Sequence, residues 1–368
     1  MKAHFNRIAL AEALGMITSV IPSRTPRPIL RCVRLTVSAA AVNLCATDLE
    51  VGLTIQVSEV KMESEGDTVL DADRFAAIVR ESSDAVLTLE LSDGTCQITG
   101  SDSRFTIYNQ DPKDYPTMIG FDGPGDLAMD LEDLQDATRH VLFAAAKESS
   151  HYAINGVLWE IKGKKLSLVA TDGRRLARSR VNLTGTVDPE VAKQRIIVPA
   201  KTMGLLERIG LNDRDVLSVK LVGNQVVFRC SNVVLTSNLV EGSFPKYEEI
   251  IPGDYDKKLT LNTGTVLSAV RRASLLASEE SKGIKISISR DNLVFSGKAP
   301  ETGAAEISMA ASYSGEPISM GFNPQFLAEA LRVIQASEFE LELGQSDRPG
   351  LIKSGPDFLY VLMPINLA

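Results

Sequence analysis

The sequence predicts an α+β chain made of three tandem copies of one module, each copy holding two units of a helix with an antiparallel sheet. Three observations predict it. Apolar stripes at helical spacing recur, apolar–polar alternation of period two follows each stripe, and two Pro/Gly/Asp-rich segments interrupt the pattern. The leading helices read Leu10, Leu14, Ile17, Ile21 in the first copy and Leu131, Leu134, Thr138, Val141, Leu142, Ala145 in the second. In the third they read Leu267, Val270, Ser274, Ala277. Steps of three and four put each set on one helical face. Strands follow, with Val33/Leu35/Val37 around Arg34 and Thr36, and Ile284/Ile286/Ile288 around Lys285 and Ser287.

The second half of each copy repeats the pattern. Phe75/Ile78/Val79, Leu205/Leu206/Ile209 and Leu327/Leu331/Ile334 mark short helices, followed by strands such as Leu87/Leu89/Leu91 and Leu217/Val219/Leu221. Asp93-Gly94 and Gly223-Asn224 are hairpin dipeptides that tolerate positive φ. The first two copies also share a local signature, Cys45-Ala46-Thr47-Asp48-Leu49-Glu50 against Val169-Ala170-Thr171-Asp172-Gly173-Arg174. The interrupting segments run from Asp111-Pro112 through Gly125-Asp126 and from Phe244-Pro245 through Gly253-Asp254. The expected domains are 1–121, 126–250 and 255–368, each of ordinary domain size.

At 368 residues and 44% hydrophobic content, the chain can build substantial cores. Met1-Lys2-Ala3-His4 leads straight into an amphipathic helix, and no run approaches the ~20 apolar residues of a membrane span, so a cytoplasmic protein without a membrane partner is expected. Cys32, Cys45, Cys96 and Cys230 lie in apolar strand-like surroundings without metal or redox spacing and read as buried free thiols. The net charge of −8 taken on its own argues against a nucleic-acid partner, since phosphate binding normally leaves a basic footprint, but a mean conceals a distribution. Local clusters remain. Arg24, Arg27, Arg31 and Arg34 follow the first helix, Arg271-Arg272 lie in the fifth, and Lys193, Arg195 and Lys201 lead into the fourth. Glu63, Glu65, Asp67 and Glu248-Glu249 concentrate negative charge in hairpins and linkers, and either set also reads as an ordinary solvated face.

Catalytic chemistry is hard to find. His4, His140 and His151 are the three histidines, and none has a partner at metal spacing. Gly123-Pro124-Gly125 cannot cradle a phosphate, because its proline lacks an amide donor. Glu279-Glu280 follow a helix and read as solvated, and Thr171-Asp172-Gly173 at a strand end reads as a structural turn. No enzyme activity, cofactor or metal is expected.

One set of motifs carries a family likeness. Ile154-Asn155-Gly156-Val157-Leu158, Ala170 through Ala177, Tyr313-Ser314-Gly315, Gly321-Phe322-Asn323 and Tyr360 through Leu367, in this order, closely resemble the bacterial DNA polymerase III beta subunit, the DNA sliding clamp. The likeness spans the whole chain. It implies three tandem DNA-clamp domains forming half of a ring. A head-to-tail homodimer closes that ring around duplex DNA, with helices lining the hole and sheets outside. The implied function is a DNA replication processivity factor that holds DNA by topology without reading sequence. Modest positive charge inside and acidic charge outside suit such a tether. Implied partners are the DNA polymerase III alpha subunit, other polymerases and repair proteins with clamp-binding peptides, and an ATP-driven clamp loader.

By matching motif positions, the resemblance implies a peptide-binding pocket of Ile154, Thr171, Gly173, Arg174, Arg175, Leu176, Pro245, Ile250, Val361, Leu362, Met363, Pro364 and Ile365, with Leu367 near its rim. An extended peptide ending in bulky hydrophobic side chains fits, and Met363 can reshape around different partners. The C-terminal run also reads as the last strand of the third copy, and both hold if faces alternate. Arg174, Asn366 and Ala368 depart from the family pattern. Arg24 and Lys201 match basic positions of the family. Arg27, Arg80 and Arg272 are DNA candidates by helix or loop placement, and Ser149, in the loop 148–151, replaces a larger polar group. The dimer seam implied is Phe105 and Ile107 against Leu275 and Leu276, although Phe105 also reads as a core aromatic. Two rival readings stay open: an enzyme with a site near Asp172 and Arg175, and a non-replicative peptide-binding scaffold of the same fold.

Overall fold

The protein is described here by a computed structural model over residues 1–147, 153–210, 215–253, 255–277 and 283–366. The first copy runs β1 (Lys2–Asn6), α1 (Arg7–Ile17), β2 (Cys32–Val37), β3 (Val42–Thr47), β4 (Val51–Gln56), β5 (Val60–Ser64), β6 (Gly66–Asp71), α2 (Ala72–Glu81), β7 (Val86–Ser92), β8 (Thr95–Thr99) and β9 (Arg104–Gln110). The second runs β10 (Leu127–Asp130), α3 (Leu131–Leu142), β11 (Gly156–Lys162), β12 (Lys165–Thr171), β13 (Arg175–Thr184), β14 (Arg195–Pro199), α4 (Ala200–Leu206), β15 (Val216–Val222), β16 (Gln225–Cys230) and β17 (Val233–Asn238). The third runs β18 (Lys257–Asn262), α5 (Thr263–Ser274), β19 (Ile284–Ser289), β20 (Asn292–Ala299), β21 (Gly303–Ala310), β22 (Ile318–Phe322), α6 (Pro324–Val333), β23 (Glu338–Leu343), β24 (Gly350–Ser354) and β25 (Phe358–Leu362).

Each half-copy is strand, helix and three strands, with β5 as the one addition among the described residues. The short strand before each helix escaped the periodicity, because four to six residues run into the helix without a turn. Asn or Asp marks that joint at every helix but α4, which follows Pro199. The side-chain oxygen of Asn6 accepts from the Ile8 and Ala9 amides, Asp71 from Arg74, Asn262 from Thr265, and Asn323 from Gln325 and Phe326. The strand before one helix pairs with the strand after the other helix of the same copy. Thus β1 pairs with β7 and β6 with β2, and β18 pairs with β23 and β22 with β19. Helix pairs α1/α2 and α5/α6 pack together beneath these strands.

Helix ends and one stripe differ from expectation. Ile21, Ala145, Ile209, Ala277 and Ile334 lie beyond their helices, and α5 buries Val266, Ala269, Val270 and Ala273 while Leu267 and Ser274 stay half-buried. The Asn262 cap fixes where that helix begins, and the facing sheet then chooses the neighbouring stripe.

Compactness divides the chain in two. One unit holds Met1–Glu132, Leu183–Val191 and Gly204–Leu239, and the other holds Asp133–Asn182, Ala192–Met203 and Val240–Ala368. The ladder β4–β17 fastens part of the second copy to the first, and β13–β25 fastens the rest to the third. Within the first unit, strands run β5-β1-β7-β8-β9, and β9-β6-β2-β3-β4-β17-β16-β15-β10. Within the second they run β14-β11-β12-β13-β25-β24-β23-β18 and β22-β19-β20-β21.

Cys32, Cys96 and Cys230 are buried and Cys45 is half-buried; all four are free thiols. Burial pushes Cys32 and Cys230 up to about 11 and Cys96 up to about 12, so these thiols stay protonated near neutrality. Among the described residues, no helix is long and apolar enough to cross a membrane, and no acid, His and Cys cluster could hold a metal.

Candidate functional site

The site begins with a turn. Between β12 and β13, Thr171 Oγ1 donates to the Arg175 carbonyl at 2.6 Å and accepts from the Gly173 amide at 3.1 Å. Asp172 Oδ1 accepts from the amides of Arg174 and Arg175 at 3.0 and 3.1 Å. Gly173 sits at φ +84°, where a residue without Cβ is unstrained. The turn sends β13 alongside β25 with Arg175 opposite Leu362 and Leu176 opposite Val361. Beyond the ladder, the Met363 amide donates to the Arg174 carbonyl at 3.0 Å, and the Ile365 amide to the Gly321 carbonyl at 2.9 Å.

Side-chain alternation divides the expected pocket between two faces. Leu176 and Val361 are buried with Leu158, Val169, Leu351 and Leu359 under Tyr247, and Phe244 and Ile251 pack against this cluster. That face carries the segment 240–253, which includes Pro245 and Ile250. The Ala153 amide donates to the Ser243 carbonyl at 3.3 Å, holding the neighbouring Ile154 near that segment. Gly173, Arg174, Ile250 and Met363 are exposed, and Pro245, Pro364 and Ile365 are half-buried. Ile250 and Met363 are the large apolar side chains in this set that remain open to solvent, at 40% and 39%. Leu367 lies outside the described residues.

Arg175 and Leu362 face the helices instead. Leu362 lines a small apolar cavity with Val266, Val270, Leu327 and Leu331. Arg175 is 7% exposed; its Nε donates to Asp172 at 3.0 Å, Nη1 to Glu329, and Nη2 to the Phe143 carbonyl at 2.7 Å. Its guanidinium lies 4.1 Å from the Phe326 ring centre. Burial works against the charge, but the Glu329 hydrogen bond and the nearby carboxylates outweigh it, so Arg175 is held protonated. Burial likewise opposes ionisation of Glu329, and the hydrogen bond from Arg175 reverses the balance and lowers its pKa. Every strong donor of Arg175 is thus committed to structure. The arrangement near Asp172 and Arg175 is a satisfied ion cluster that props the turn from beneath.

Tyr247 anchors the covering segment. Its hydroxyl donates to Glu160 Oε2 at 2.8 Å, and Lys162 and Arg195 reach the same carboxylate at 2.9 and 3.4 Å. Burial raises the Tyr247 phenol, as does the hydrogen bond to Glu160. Burial pulls the Glu160 carboxyl upward too, yet the bonds from Lys162 and Tyr247 with the nearby positive charges leave it lowered. Sequence reasoning missed Tyr247, Glu160, Phe143, Phe326 and Glu329. The only signal was an aromatic pair, Phe244 and Tyr247, inside a linker otherwise rich in breakers.

The basic candidates separate by partner. Arg31 pairs with Asp73 at 2.9 Å, and Arg34 Nε donates to Asp67 Oδ1 at 3.0 Å, so two of the four arginines after α1 are neutralised. Arg24 and Arg27 are exposed with no side-chain partner among the described residues. Arg80 is exposed beside Glu81 at 3.2 Å. Lys201 is exposed in the first turn of α4, as is Arg272 in the last turn of α5, where its Nε reaches the Ser268 carbonyl at 3.4 Å. Ser149 and His151 lie outside the described residues.

The seam candidates sit at sheet margins. In the first unit, β9 pairs with β8 along its length and with β6 only through Asn109 and Gln110, so Arg104–Tyr108 form a free edge among the described residues. Phe105 is 39% exposed and Ile107 half-buried, so Phe105 is no enclosed core aromatic; Tyr108, which the sequence did not single out, is 82% exposed. In the second unit, β21 pairs only with β20 among the described residues, Leu275 just past α5 is 79% exposed, and Leu276 is half-buried.

Comparison with known proteins gives these placements a family. Sequence models of the DNA polymerase III beta subunit match residues 1–119 as its N-terminal domain, 128–246 as its central domain and 248–366 as its C-terminal domain. A beta sliding clamp of Vibrio cholerae is 29% identical over 375 residues, with 100% of both chains covered. The crystal structure of the DNA polymerase III subunit beta from Pseudomonas aeruginosa superposes with a TM-score of 0.92 at 28% identity, covering 100% of each chain. The DNA polymerase sliding clamp of Bacillus subtilis, at 24% identity, shares the fold with a TM-score of 0.94 over 100% of each chain. Three consecutive clamp domains with these helices and antiparallel sheets mean that the chain belongs to the DNA polymerase III beta subunit family, the sliding clamps, and is an accessory processivity factor of DNA replication, not an enzyme.

Proposed function

We propose that two copies of this chain join head to tail into a ring around duplex DNA, and that each copy captures clamp-binding peptides at the β13–β25 ladder. The domains are 1–121, 126–250 and 255–368. The observation that carries the reading is the apolar row beside that ladder: Leu176 and Val361 form a buried floor, and Ile250 and Met363 form an accessible rim next to half-buried Ile365. A peptide with bulky apolar side chains gains by covering this rim, and Met363 adapts to differing shapes. Exposed Arg174 adds positive charge at the edge of the site. Partners of this kind include the DNA polymerase III alpha subunit, other polymerases and repair proteins. An ATP-driven loader opens the ring, and the setting is the cytoplasm.

Ring closure draws on the edges of β9, over Arg104–Tyr108, and of β21 that are unpaired among the described residues, with Phe105, Ile107, Leu275 and Leu276 between them. Isolated edges of this kind are normally blocked or paired. DNA is attracted by Arg24, Arg27, Arg80, Lys201 and Arg272 through phosphate charge alone, which holds DNA without reading sequence. The net charge of −8 leaves the remaining surface acidic and unattractive to DNA.

Retention on circular against linear DNA tests the whole reading. Retention on closed circles with rapid loss from free ends is expected; equal loss from both would leave a peptide-binding scaffold without a topological tether. The double change Leu275→Ala with Leu276→Ala should give monomers in sedimentation and abolish retention.

A further inference from the structure

The first and second copies share more than a sequence signature. Between β3 and β4, Thr47 Oγ1 donates to the Val51 carbonyl at 2.8 Å and accepts from the Leu49 amide at 3.0 Å, and Asp48 Oδ1 accepts from the amides of Glu50 and Val51 at 2.9 and 2.7 Å. The turn then sends β4 alongside β17 with Val51 opposite Ser237 and Gly52 opposite Thr236. The Asn238 amide donates to the Glu50 carbonyl at 2.9 Å, where at the junction of the second and third copies the Met363 amide donates to the Arg174 carbonyl at 3.0 Å. Bond for bond, this backbone repeats that of the proposed peptide site.

The side chains do not repeat. Gly52 stands where Leu176 forms the floor, and Thr236 where Val361 does. The space is not empty. A Cβ placed on Gly52 would lie 2.7 Å from Met118 Sδ and 3.4 Å from its Cγ, so the methionine occupies the volume above this glycine. Met118 arrives on the segment that follows the first copy, and that segment is pinned by Thr236 Oγ1 donating to the Ile119 carbonyl at 3.0 Å. Met118 is half-buried, Ile119 next to it in the chain is 41% exposed, and Leu49 in the turn is 45% exposed.

We infer that the β4–β17 ladder is a second docking site of the same build for an apolar side chain of an extended peptide, kept closed by Met118. The chain thereby supplies its own anchor: an unbranched thioether threads over a glycine where a branched floor would leave no room. One site per chain is open and its duplicate is filled from within. This inference rests on the peptide site proposed above, and its test separates the two.

The probe is a fluorescent pentapeptide ending in two leucines and a phenylalanine, titrated to stoichiometry against the full-length protein. Expected are one site per chain in the native protein, two in Met118→Ala, and one in Met118→Ala combined with Met363→Asp. Met118→Leu, which refills the volume, should return the count to one. A count that stays at one in Met118→Ala overturns the inference and leaves the β13–β25 reading intact, as does a count of zero in the Met118→Ala/Met363→Asp protein. Two sites in the native chain overturn the closure by Met118. No binding to the native chain with one site in Met118→Ala upholds the inference and removes the β13–β25 reading, and no binding to any variant removes both.

Discussion

Two ladders, β4–β17 and β13–β25, fasten neighbouring copies with the same backbone and opposite chemistry. At β13–β25 the turn carries Arg175, whose guanidinium is spent on Asp172, Glu329 and the Phe143 carbonyl, and the strand continues into exposed Met363. At β4–β17 the equivalent positions are Val51, which is 2% exposed, and Asn238, whose side chain joins Gln225 at 2.6 Å. Their covering segments differ too. Tyr247 donates to a carboxylate, whereas the Tyr115 hydroxyl donates to the Cys32 carbonyl at 3.0 Å. Backbone hydrogen bonds set where a junction forms, and side chains decide whether it is an open surface or a sealed one.

The largest contrast should come from the turn residue that faces the helices. Arg175→Ala strands Glu329 and Asp172 without their cation and should cost about 3–5 kcal/mol in denaturant unfolding. Val51→Ala removes only apolar contact and should cost about 2 kcal/mol. Equal costs would break the comparison.

Next come the covering tyrosines. Tyr247→Phe removes a bond to a charged acceptor and should cost about 1.5–3 kcal/mol at neutral pH, against about 0.5–1.5 kcal/mol for Tyr115→Phe. The two also differ in pH dependence. The folded-state pKa of Glu160 is lowered, so its contribution is complete above the ordinary carboxylate range and is lost as pH falls through the folded value. Unfolding curves taken on acidification should therefore show the Tyr247→Phe penalty shrinking while the Tyr115→Phe penalty stays level. Glu160→Gln should flatten part of the wild-type acid dependence.

The smallest effects belong to the third residue of each turn. Gly173 at φ +84° and Leu49 at φ +80° occupy the same left-handed conformation, and only one is a glycine. Gly173→Ala should destabilise by about 1–2 kcal/mol. Leu49→Gly relieves similar strain but loosens the unfolded chain, so the net change should stay within about 1 kcal/mol in thermal unfolding.

Much of this was legible in advance. The Thr-Asp signature located both turns, because a short polar side chain that caps its own backbone needs no distant partner. The motif positions also picked out Met363 and Ile250, the two exposed large apolar side chains among the described residues of the proposed site. The list could not be sorted by face, since Arg175 and Leu176 differ by one position and so point to opposite sides of a sheet whose register is fixed only when β25 arrives. Nor could the arginine run be divided. Arg31 and Arg34 meet Asp73 and Asp67, and those carboxylates come from 42 and 33 residues away.

By itself, the sequence determined what depends on neighbours along the chain: helical and alternating periods, Asn and Asp caps, turn chemistry and the threefold repeat. Tertiary structure alone decided which side chains are spent and which remain available. Met118 lies over Gly52, Tyr247 over Leu176, and Glu329 against Arg175, each brought together across 66 to 154 residues of chain. Such contacts depend on which strands share a ladder, and that choice is a property of the packed whole rather than of any local run.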